Sequence, residues 1–593
     1  MRKVKIKING KAITADQGKS VLEVATKEGI DIPALCYHPD LPVKANCRLC
    51  LIEIKGKNGL HTACSTTIEL GMELQTESPK INQARVTNLE LIFAQHCEQC
   101  LDCVLFPNCK LLELSKKYGA QCQKFKDRKK NRPVYQFGPS IVFDSRKCIE
   151  CRNCVDVCKK ENIGFFEVEK KGDFHEIVPS KKPDKDCILC GQCITHCPVG
   201  AIEAVGEFED IEKPLKHKGK TVVFQIAPSI RSSIGEDFDM PHGSVVTDQI
   251  VGAIKKLGVD YVFDVCVGAD YTTTEEAKEL KSRIENNTRQ QSERAYEHKT
   301  ERSENKGVLP MFTSCCPSWV KYVEFHHPEL IPHLTTARSP HMMSGGVIKT
   351  YWAEKENIDP KNIYVVSIMP CTSKKYEITR KEFEFNGIKP VDYVMTTREL
   401  AYLLRIKGID LKKVKPVPAD NPIGDPSGAG VIYGASGGVM ESALRSAHEM
   451  MTGKQLKKLE FKEVRGMRGF KTANIKIGNR KLKVAIANGI ANAEKIIQQL
   501  KKDPNKYDYI EIMTCFGGCI GGGGQPIPVN DEIRKARAKA LYSIDTKKKV
   551  RAAHRNPDLI KSYKEYFTNN KIIHHIFHSS FNSKKKTCIK RLL

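Results

Sequence analysis

Polar and apolar side chains alternate from the first residues of the chain. VKIKING and KAIT are two alternating runs around Asn9-Gly10, a dipeptide suited to a tight hairpin turn, so a β-hairpin is expected there. SVLEVATKEG then reads as a helix, with Ser20 as N-cap and Glu23 three residues on as its capping-box partner. From about residue 220 the period changes. TVVFQIAP, VDYVFDV, NIYVVSIMPC, KVAIANGI and YDYIEIMTC are short strand-like runs, and helical stretches such as TDQIVGAIKKLG and NAEKIIQQLKK lie between them. That alternation predicts an α/β fold with a largely parallel sheet. Residues 285–307, ENNTRQQSERAYEHKTERSENKG, break the pattern and are expected to be a solvated loop. The end of the chain, KIIHHIFHSSFNSKKKTCIKRLL, is expected to be a disordered basic tail, although its three histidines could also bind metal. No uninterrupted apolar run reaches the roughly 18 residues of a membrane span. The N-terminus lacks the apolar stretch of a signal peptide, and a cytoplasmic location is expected.

Composition changes this picture at one point. The chain has 24 cysteines in 593 residues, and they fall in tight groups rather than at the spread positions of a secreted disulfide framework. Metal binding in a reducing compartment is the natural use of such thiols. Cys36, Cys47, Cys50 and Cys64 form the first group, which suits a two-iron cluster, with zinc or free thiols as the competing readings. HCEQCLDCVLFPNC supplies His96, Cys100, Cys103 and Cys109, with Cys97 and Cys122 as alternative ligands on chemistry alone. Replacing a thiolate by imidazole tends to raise a cluster's potential.

Cys148, Cys151, Cys154 and Cys158 form C-x2-C-x2-C-x3-C, and Cys187, Cys190, Cys193 and Cys197 repeat it, closed by Pro198. In paired runs of this kind the fourth cysteine of each ligates the other cluster. One [4Fe–4S] cluster therefore takes Cys148, Cys151, Cys154 and Cys197, and the other takes Cys187, Cys190, Cys193 and Cys158. The first run has Lys159 where proline is usual. The remaining grouped cysteines sit just past strand ends: Cys315-Cys316, Cys371, and Cys515 with Cys519. Loops at the carboxyl ends of strands are where open α/β sheets build their sites.

These segments also carry resemblances. The first two cysteine groups are similar to the [2Fe–2S] domain and the histidine-ligated [4Fe–4S] domain shared by iron-only ([FeFe]) hydrogenases and the large iron–sulfur subunit of complex I. FTSCCPSW, MPCTSKKYE and EIMTCFGGCIGGGGQP resemble the three signature segments of the iron-only hydrogenase catalytic domain. The resemblance implies an N-terminal β-grasp ferredoxin-like domain at 1–80 and a small histidine-ligated domain at 81–125. A bacterial-type two-[4Fe–4S] ferredoxin domain at 138–210 and an α/β H-cluster domain at 218–565 would follow, with the basic tail at 566–593. It further implies that Cys316, Cys371, Cys515 and Cys519 hold a [4Fe–4S] cube. Cys519 would bridge to a two-iron subcluster bearing CO, cyanide and a dithiolate, the whole being the H-cluster.

Carried over by position, Ala227, Pro228, Ser229, Met369 and Met513 line its pocket, and Lys374 lies near a cyanide. Cys315 becomes the shuttle that passes a proton to the bridge amine. Glu276 and Glu279, three apart on one helix face, become relay carboxylates with Thr335 as a hydroxyl between them. Read without the resemblance, the glutamates are a solvated helix face and the methionines core filler. His341 stands where the family usually has glutamine, which puts its hydrogen bond in doubt. Cys266 is read as a buried free thiol.

The implied reaction is 2H⁺ + 2e⁻ ⇌ H₂, with electrons from ferredoxin or from NAD(P)H-oxidising flavin and iron–sulfur subunits. Maturation proteins would install the H-cluster. No GxGxxG unit for a nicotinamide is found in the sequence. The alternatives are a non-catalytic electron-transfer subunit like that of complex I and a hydrogenase-like sensor. The formal charge of +26 suits a lysine-rich solvated surface or docking of an acidic electron carrier; no nucleic-acid motif accompanies it.

Overall fold

The computed structural model describes residues 2–96, 100–101, 103–129, 131–172, 174–206, 208–293 and 308–592. The N-terminal hairpin forms as the alternation predicts. Lys3–Ile8 pairs antiparallel with Lys11–Asp16, and Asn9 and Gly10 both take positive φ in the turn. Lys3–Ile8 also runs parallel to Glu73–Gln75, which completes a five-stranded sheet with Leu51–Ile54 and His61–Thr62. Its inward residues Val4, Ile6 and Ile8 pack against Val21 and Leu22 of the helix Val21–Lys27. That helix opens with the expected capping box between Ser20 and Glu23. Buried Arg85, on the helix Pro79–Phe93, donates to the carbonyls of Leu49, Leu51 and Thr76, fastening the next segment to this sheet.

The ferredoxin segment pairs Ile141–Asp144 with Val134–Phe137 and Ile202–Ala204. Two short helices, Asn153–Lys160 and Gln192–Thr195, carry the cysteine runs.

Beyond residue 220 the strands are parallel as expected, but they are shared between two four-stranded sheets. In one, Tyr261–Asp264, Thr221–Ile226, Ile363–Met369 and Tyr393–Thr396 are all parallel neighbours. In the other, Met311–Phe312, Tyr509–Met513 and Arg480–Asn488 are parallel, and Phe470–Ile477 closes the edge antiparallel. The division has a purpose visible in the packing. The long helix Val265–Glu293 and the helices Pro340–Val347 and Gly438–Thr452 belong to the same domain. The first two approach closely at Gly268, where a side-chain carbon would lie 2.0 Å from the carbonyl of Pro340.

Two expectations are corrected. Residues 285–293 are not loop but the last turns of the helix Val265–Glu293. Their Glu, Arg and Gln residues are adequate helix formers even without an apolar stripe; residues 294–307 lie outside the described part. The C-terminal segment is ordered rather than a disordered tail. Asn570–Phe577 is a helix that buries Ile576 and Phe577. Ile589–Arg591 then pairs with Val134–Phe137, covering the free edge of the ferredoxin sheet. Covering an edge satisfies backbone groups that would otherwise face solvent. Among the described residues, no helix is long and apolar enough to cross a membrane.

Candidate metal centres and catalytic cavity

The four cysteines of the first group are brought together in two pairs. The backbone N–H of Cys47 points at Sγ of Cys36, 3.4 Å away; the thiols of Cys36 and Cys47 also meet side chain to side chain, as do those of Cys50 and Cys64. His96, Cys100, Cys103 and Cys109 line one cavity of about 310 Å³. Nδ1 of His96 lies 2.7 Å from the carbonyl of Lys147. That contact makes Nδ1 the protonated nitrogen and leaves Nε2 as the ligand atom. Cys122 is not among the lining residues, and Cys97 lies outside the described part.

The ferredoxin runs repeat one backbone shape. Glu150 and Arg152 in the first run, and Leu189 and Gly191 in the second, all have φ near +60 to +70°. Non-glycine residues seldom adopt this conformation. Its recurrence at the same two offsets turns the loop backbone around the thiols, and the N–H of Glu150 points at Sγ of Cys148. Cys148, Cys151, Cys154 and Cys197 line a cavity of about 300 Å³, the crossed set expected from spacing. In the second set, the charges of Cys187 and Cys158 both act on the thiol of Cys193. Burial pushes all these thiols up, Cys148 and Cys187 to about 12. Such groups become thiolates when a cation is there to hold them, so the donor sets fit iron–sulfur clusters.

The two parallel sheets aim their carboxyl ends at one space. One cavity is lined by Ala227, Pro228 and Ser229 after one strand, Met369 and Cys371 at the end of another, and Met513 and Cys515 at the end of a third. Cys315, Cys316, Cys519, His341 and Lys374 complete it. Every pocket residue expected from sequence is therefore at this cavity. Cys316 is the N-cap residue of the helix Pro317–His326 and makes no side-chain capping hydrogen bond. The glycines around Cys519 are required by close approach. A side-chain carbon at Gly518 would lie 2.7 Å from the N of Ser436, and one at Gly522 would lie 2.2 Å from the carbonyl of Pro370.

Lys374 is buried, yet its Nζ donates to Glu377 at 2.7 Å and to Ser339 at 3.0 Å. Burial works against its charge, but the Glu377 carboxylate holds the ammonium above its usual range. His341 does engage in this network. Its Nε2 donates to Glu377 at 2.6 Å and its Nδ1 faces Ser367 Oγ at 3.1 Å. Burial, reinforced by the Lys374 charge, lowers its pKa to about 4, so it is neutral. Cys266 is fully buried, as expected.

Glu276 is not on a solvated face: it is 1% exposed, and neither carboxyl oxygen is engaged by a well-aligned hydrogen bond. Burial pushes its pKa up to about 8, with the neighbouring Glu279 and Glu511 charges adding and Tyr509 opposing. Its charge also acts on Cys315, whose thiol burial raises well above the ordinary value. Glu279, one turn on, accepts from Thr335 Oγ1 at 2.8 Å and from Thr336 Oγ1 at 2.9 Å, and pairs with Arg283. Thr335 thus bonds to Glu279, and no bond from it to Glu276 is formed. Glu377, Thr336 and Tyr433, which also lines the cavity, were missed in the sequence. Glu377 lay inside a singled-out segment, but nothing local marks Tyr433 or Thr336.

The family model for the C-terminal domain of the iron-only hydrogenase large subunit matches residues 220–523. The chain belongs to the iron-only hydrogenases. Models of a 2Fe-2S iron-sulfur cluster binding domain, a 4Fe-4S dicluster domain and an iron hydrogenase small subunit match residues 1–79, 147–201 and 531–584. The last match reaches into the segment expected above to be a disordered basic tail. The chain is 36% identical to the NADP-reducing hydrogenase subunit HndD of Solidesulfovibrio fructosivorans, over 95% of this chain and 96% of that protein. It is 38% identical to iron hydrogenase 1 of Clostridium pasteurianum, over 94% and 96% respectively. A solved [FeFe]-hydrogenase from Chlamydomonas reinhardtii superposes with a TM-score of 0.54 at 34% identity, covering 63% of this chain and 99% of that one. The chain is an iron hydrogenase: it interconverts protons, electrons and hydrogen at an H-cluster, with electrons carried by iron–sulfur clusters.

Proposed function

We propose that this hydrogenase is the hydrogen-forming subunit of a cytoplasmic NAD(P)H-linked assembly. Its inventory would be one [2Fe–2S] cluster, three [4Fe–4S] clusters and one H-cluster. The ligands are Cys36, Cys47, Cys50 and Cys64; His96, Cys100, Cys103 and Cys109; the two crossed ferredoxin sets; and Cys316, Cys371, Cys515 and Cys519. The observation that carries the reading is the single cavity lined by four candidate ligand thiols, the spare thiol Cys315 and the ammonium of Lys374. Similarity to an NADP-reducing hydrogenase subunit along 95% of the chain supports an NAD(P)H-oxidising flavin and iron–sulfur partner over ferredoxin. Maturation proteins would supply the two-iron unit.

When bound, the H-cluster supplies the iron at which two protons and two electrons become hydrogen. The chain's own residues do the remaining work. Ala227, Pro228, Met369 and Met513 form an apolar wall that keeps water from the reacting centre. Lys374, held charged by Glu377, offers N–H donors at the cavity edge. Cys315 keeps its proton at neutral pH and gives or takes it at Sγ. Glu276, near pKa 8, exchanges a proton with little cost at neutral pH. Glu279, with the hydroxyls of Thr335 and Thr336, forms the outer end of this relay.

Anaerobically matured protein is expected to show infrared bands of iron-bound CO and cyanide and to evolve hydrogen from a reduced viologen. Cluster signals without those bands, after competent maturation, overturn the reading. Copurification of a flavin-binding subunit supports the NAD(P)H link; a complex with ferredoxin alone replaces it.

A further inference from the structure

The C-terminal segment reaches the outer end of the relay. Where the helix Asn570–Phe577 stops, His578 forms a β-bridge with Ala337, and its backbone carbonyl accepts from Nε of Arg338 at 2.9 Å. This fixes the imidazole between two acceptors. Nδ1 lies 2.8 Å from Thr336 Oγ1, and Nε2 lies 3.1 Å from Glu275 Oε2. The same Thr336 hydroxyl lies 2.9 Å from Oε2 of Glu279. On the solvent side, the exposed His574 ring stacks on His578 with centroids 5.5 Å apart.

We propose that His578 is the surface-side relay residue of the proton path, passing protons from solvent through the Thr336 hydroxyl to Glu279. This rests on the relay reading of Glu279 and Glu276 above. The bonds balance without any electron transfer. Water protonates His578 at its solvent side; the Nδ1–H bond breaks as a new Oγ1–H bond forms on Thr336. The original hydroxyl proton moves to Glu279 Oε2; rotation of the hydroxyl and a flip of the imidazole, which turns its remaining N–H toward Thr336, reset the path. Hydrogen oxidation runs the same steps in reverse.

The charged surroundings favour this route. The other oxygen of Glu279 is held by Arg283, whose guanidinium also donates to the carbonyls of Val308 and Leu334. A guanidinium does not give up its proton in proteins, so it can position Glu279 but not feed it. His578 is an imidazole, whose two ring nitrogens allow a proton to be taken up at one and released at the other. The groups facing it are Glu275 and Lys278 from the long helix, Tyr563 beyond Glu275, Arg338 from the adjoining strand, and His574 and His575 on its own helix. Glu275 offers an acceptor for Nε2–H, so both protonation states of the ring can be accommodated. The side chain of His578 is 13% exposed, enough to meet water while its inner nitrogen stays in the path.

The test uses the matured holoenzyme with reduced viologen as electron donor. H578Q keeps a polar side chain of similar reach but removes the group that both accepts and releases a proton. Turnover is expected to fall at least about tenfold, with an altered pH profile, unchanged CO and cyanide bands, and partial recovery on adding millimolar imidazole. Unchanged turnover and pH profile in H578Q, alongside a strongly impaired E279Q, overturns the proposal and leaves the relay reading standing. A loss that imidazole does not restore makes His578 a structural residue and also overturns it. Full activity in E279Q overturns the relay reading itself. Should H578Q fail to assemble, T336V is expected to be impaired while T336S is not; a T336V enzyme that turns over normally rules the route out.

Discussion

Gly523, in the loop after Cys519, and Gly191, between two ferredoxin cysteines, touch backbone to backbone: a side-chain carbon on Gly523 would lie 2.6 Å from the Cα of Gly191. It would also lie 2.5 Å from the carbonyl of Cys190. Around this contact, Gln192 Nε2 donates to the carbonyl of Gly521, and Thr372 Oγ1 donates to the carbonyl of Leu189. The ligand loops of the second ferredoxin site and the catalytic cavity are therefore joined directly.

G523A should force these loops apart. Backbone atoms cannot swing aside as a flexible side chain would, and an overpacking cost of about 1–3 kcal/mol is expected. Hydrogen evolution from reduced viologen, which needs electrons delivered through the ferredoxin clusters, should fall. Exchange between H₂ and deuterated water, which needs no external electrons, should fall much less. Equal loss in both assays would refute the electron-path assignment.

The adjacent thiols Cys315 and Cys316 have opposite expected phenotypes. C316A should abolish the cluster signal of the cavity, since a buried three-thiol set lacks a ligand. C315A should retain that signal and lose turnover by about a hundredfold or more, the scale of a positioned proton-transfer group. Electron paramagnetic resonance and hydrogen evolution on the two purified variants separate the roles.

Glu276 predicts a pH dependence of stability. Its pKa is raised from 4.5 to about 8 in the folded chain. Below about 4.5 both folded and unfolded chains carry the proton, and burial of the neutral acid costs nothing extra. As pH rises from about 4.5 to about 8 the unfolded chain releases its proton first, so stability is progressively lost across that window. E276Q cannot ionise and should lack this component: its melting temperature should gain on the wild type as pH rises, while hydrogen evolution drops. Parallel melting curves at all pH values would contradict the buried neutral carboxyl.

The strand Ile589–Arg591 covers an edge of the ferredoxin sheet, and Thr587 donates its N–H to Asp186 and its hydroxyl to the carbonyl of Cys187. Truncation after Lys586 should expose that edge. Amide hydrogen exchange over Val134–Phe137 should accelerate, and the ferredoxin clusters should be lost sooner on mild oxidation. No change in exchange there would mean the strand adds nothing to the module.

Local signals account for much of this protein. Cysteine spacing predicted which ferredoxin thiols gather, because in paired C-x2-C-x2-C-x3-C runs the first three thiols of one run meet the last of the other, as Cys148, Cys151, Cys154 and Cys197 do around one cavity. Alternation about Asn9-Gly10 and the Ser20–Glu23 pair specified the N-terminal hairpin and helix, since turns and caps are decided within a few residues. Tertiary structure alone decided the rest. Two sheets, not one, were needed to bring Cys316, Cys371, Cys515 and Cys519 to a common cavity from distant parts of the chain. Burial made Glu276 a near-neutral acid although EEAKELKSR reads as a solvated face, because desolvation depends on what packs against a helix. The C-terminal segment, apparently only basic and histidine-rich, is ordered by a helix seat and a sheet edge supplied from elsewhere. Whether Cys515 meets Cys190, or His578 meets Thr336, depends on contacts hundreds of residues apart, which no local pattern encodes.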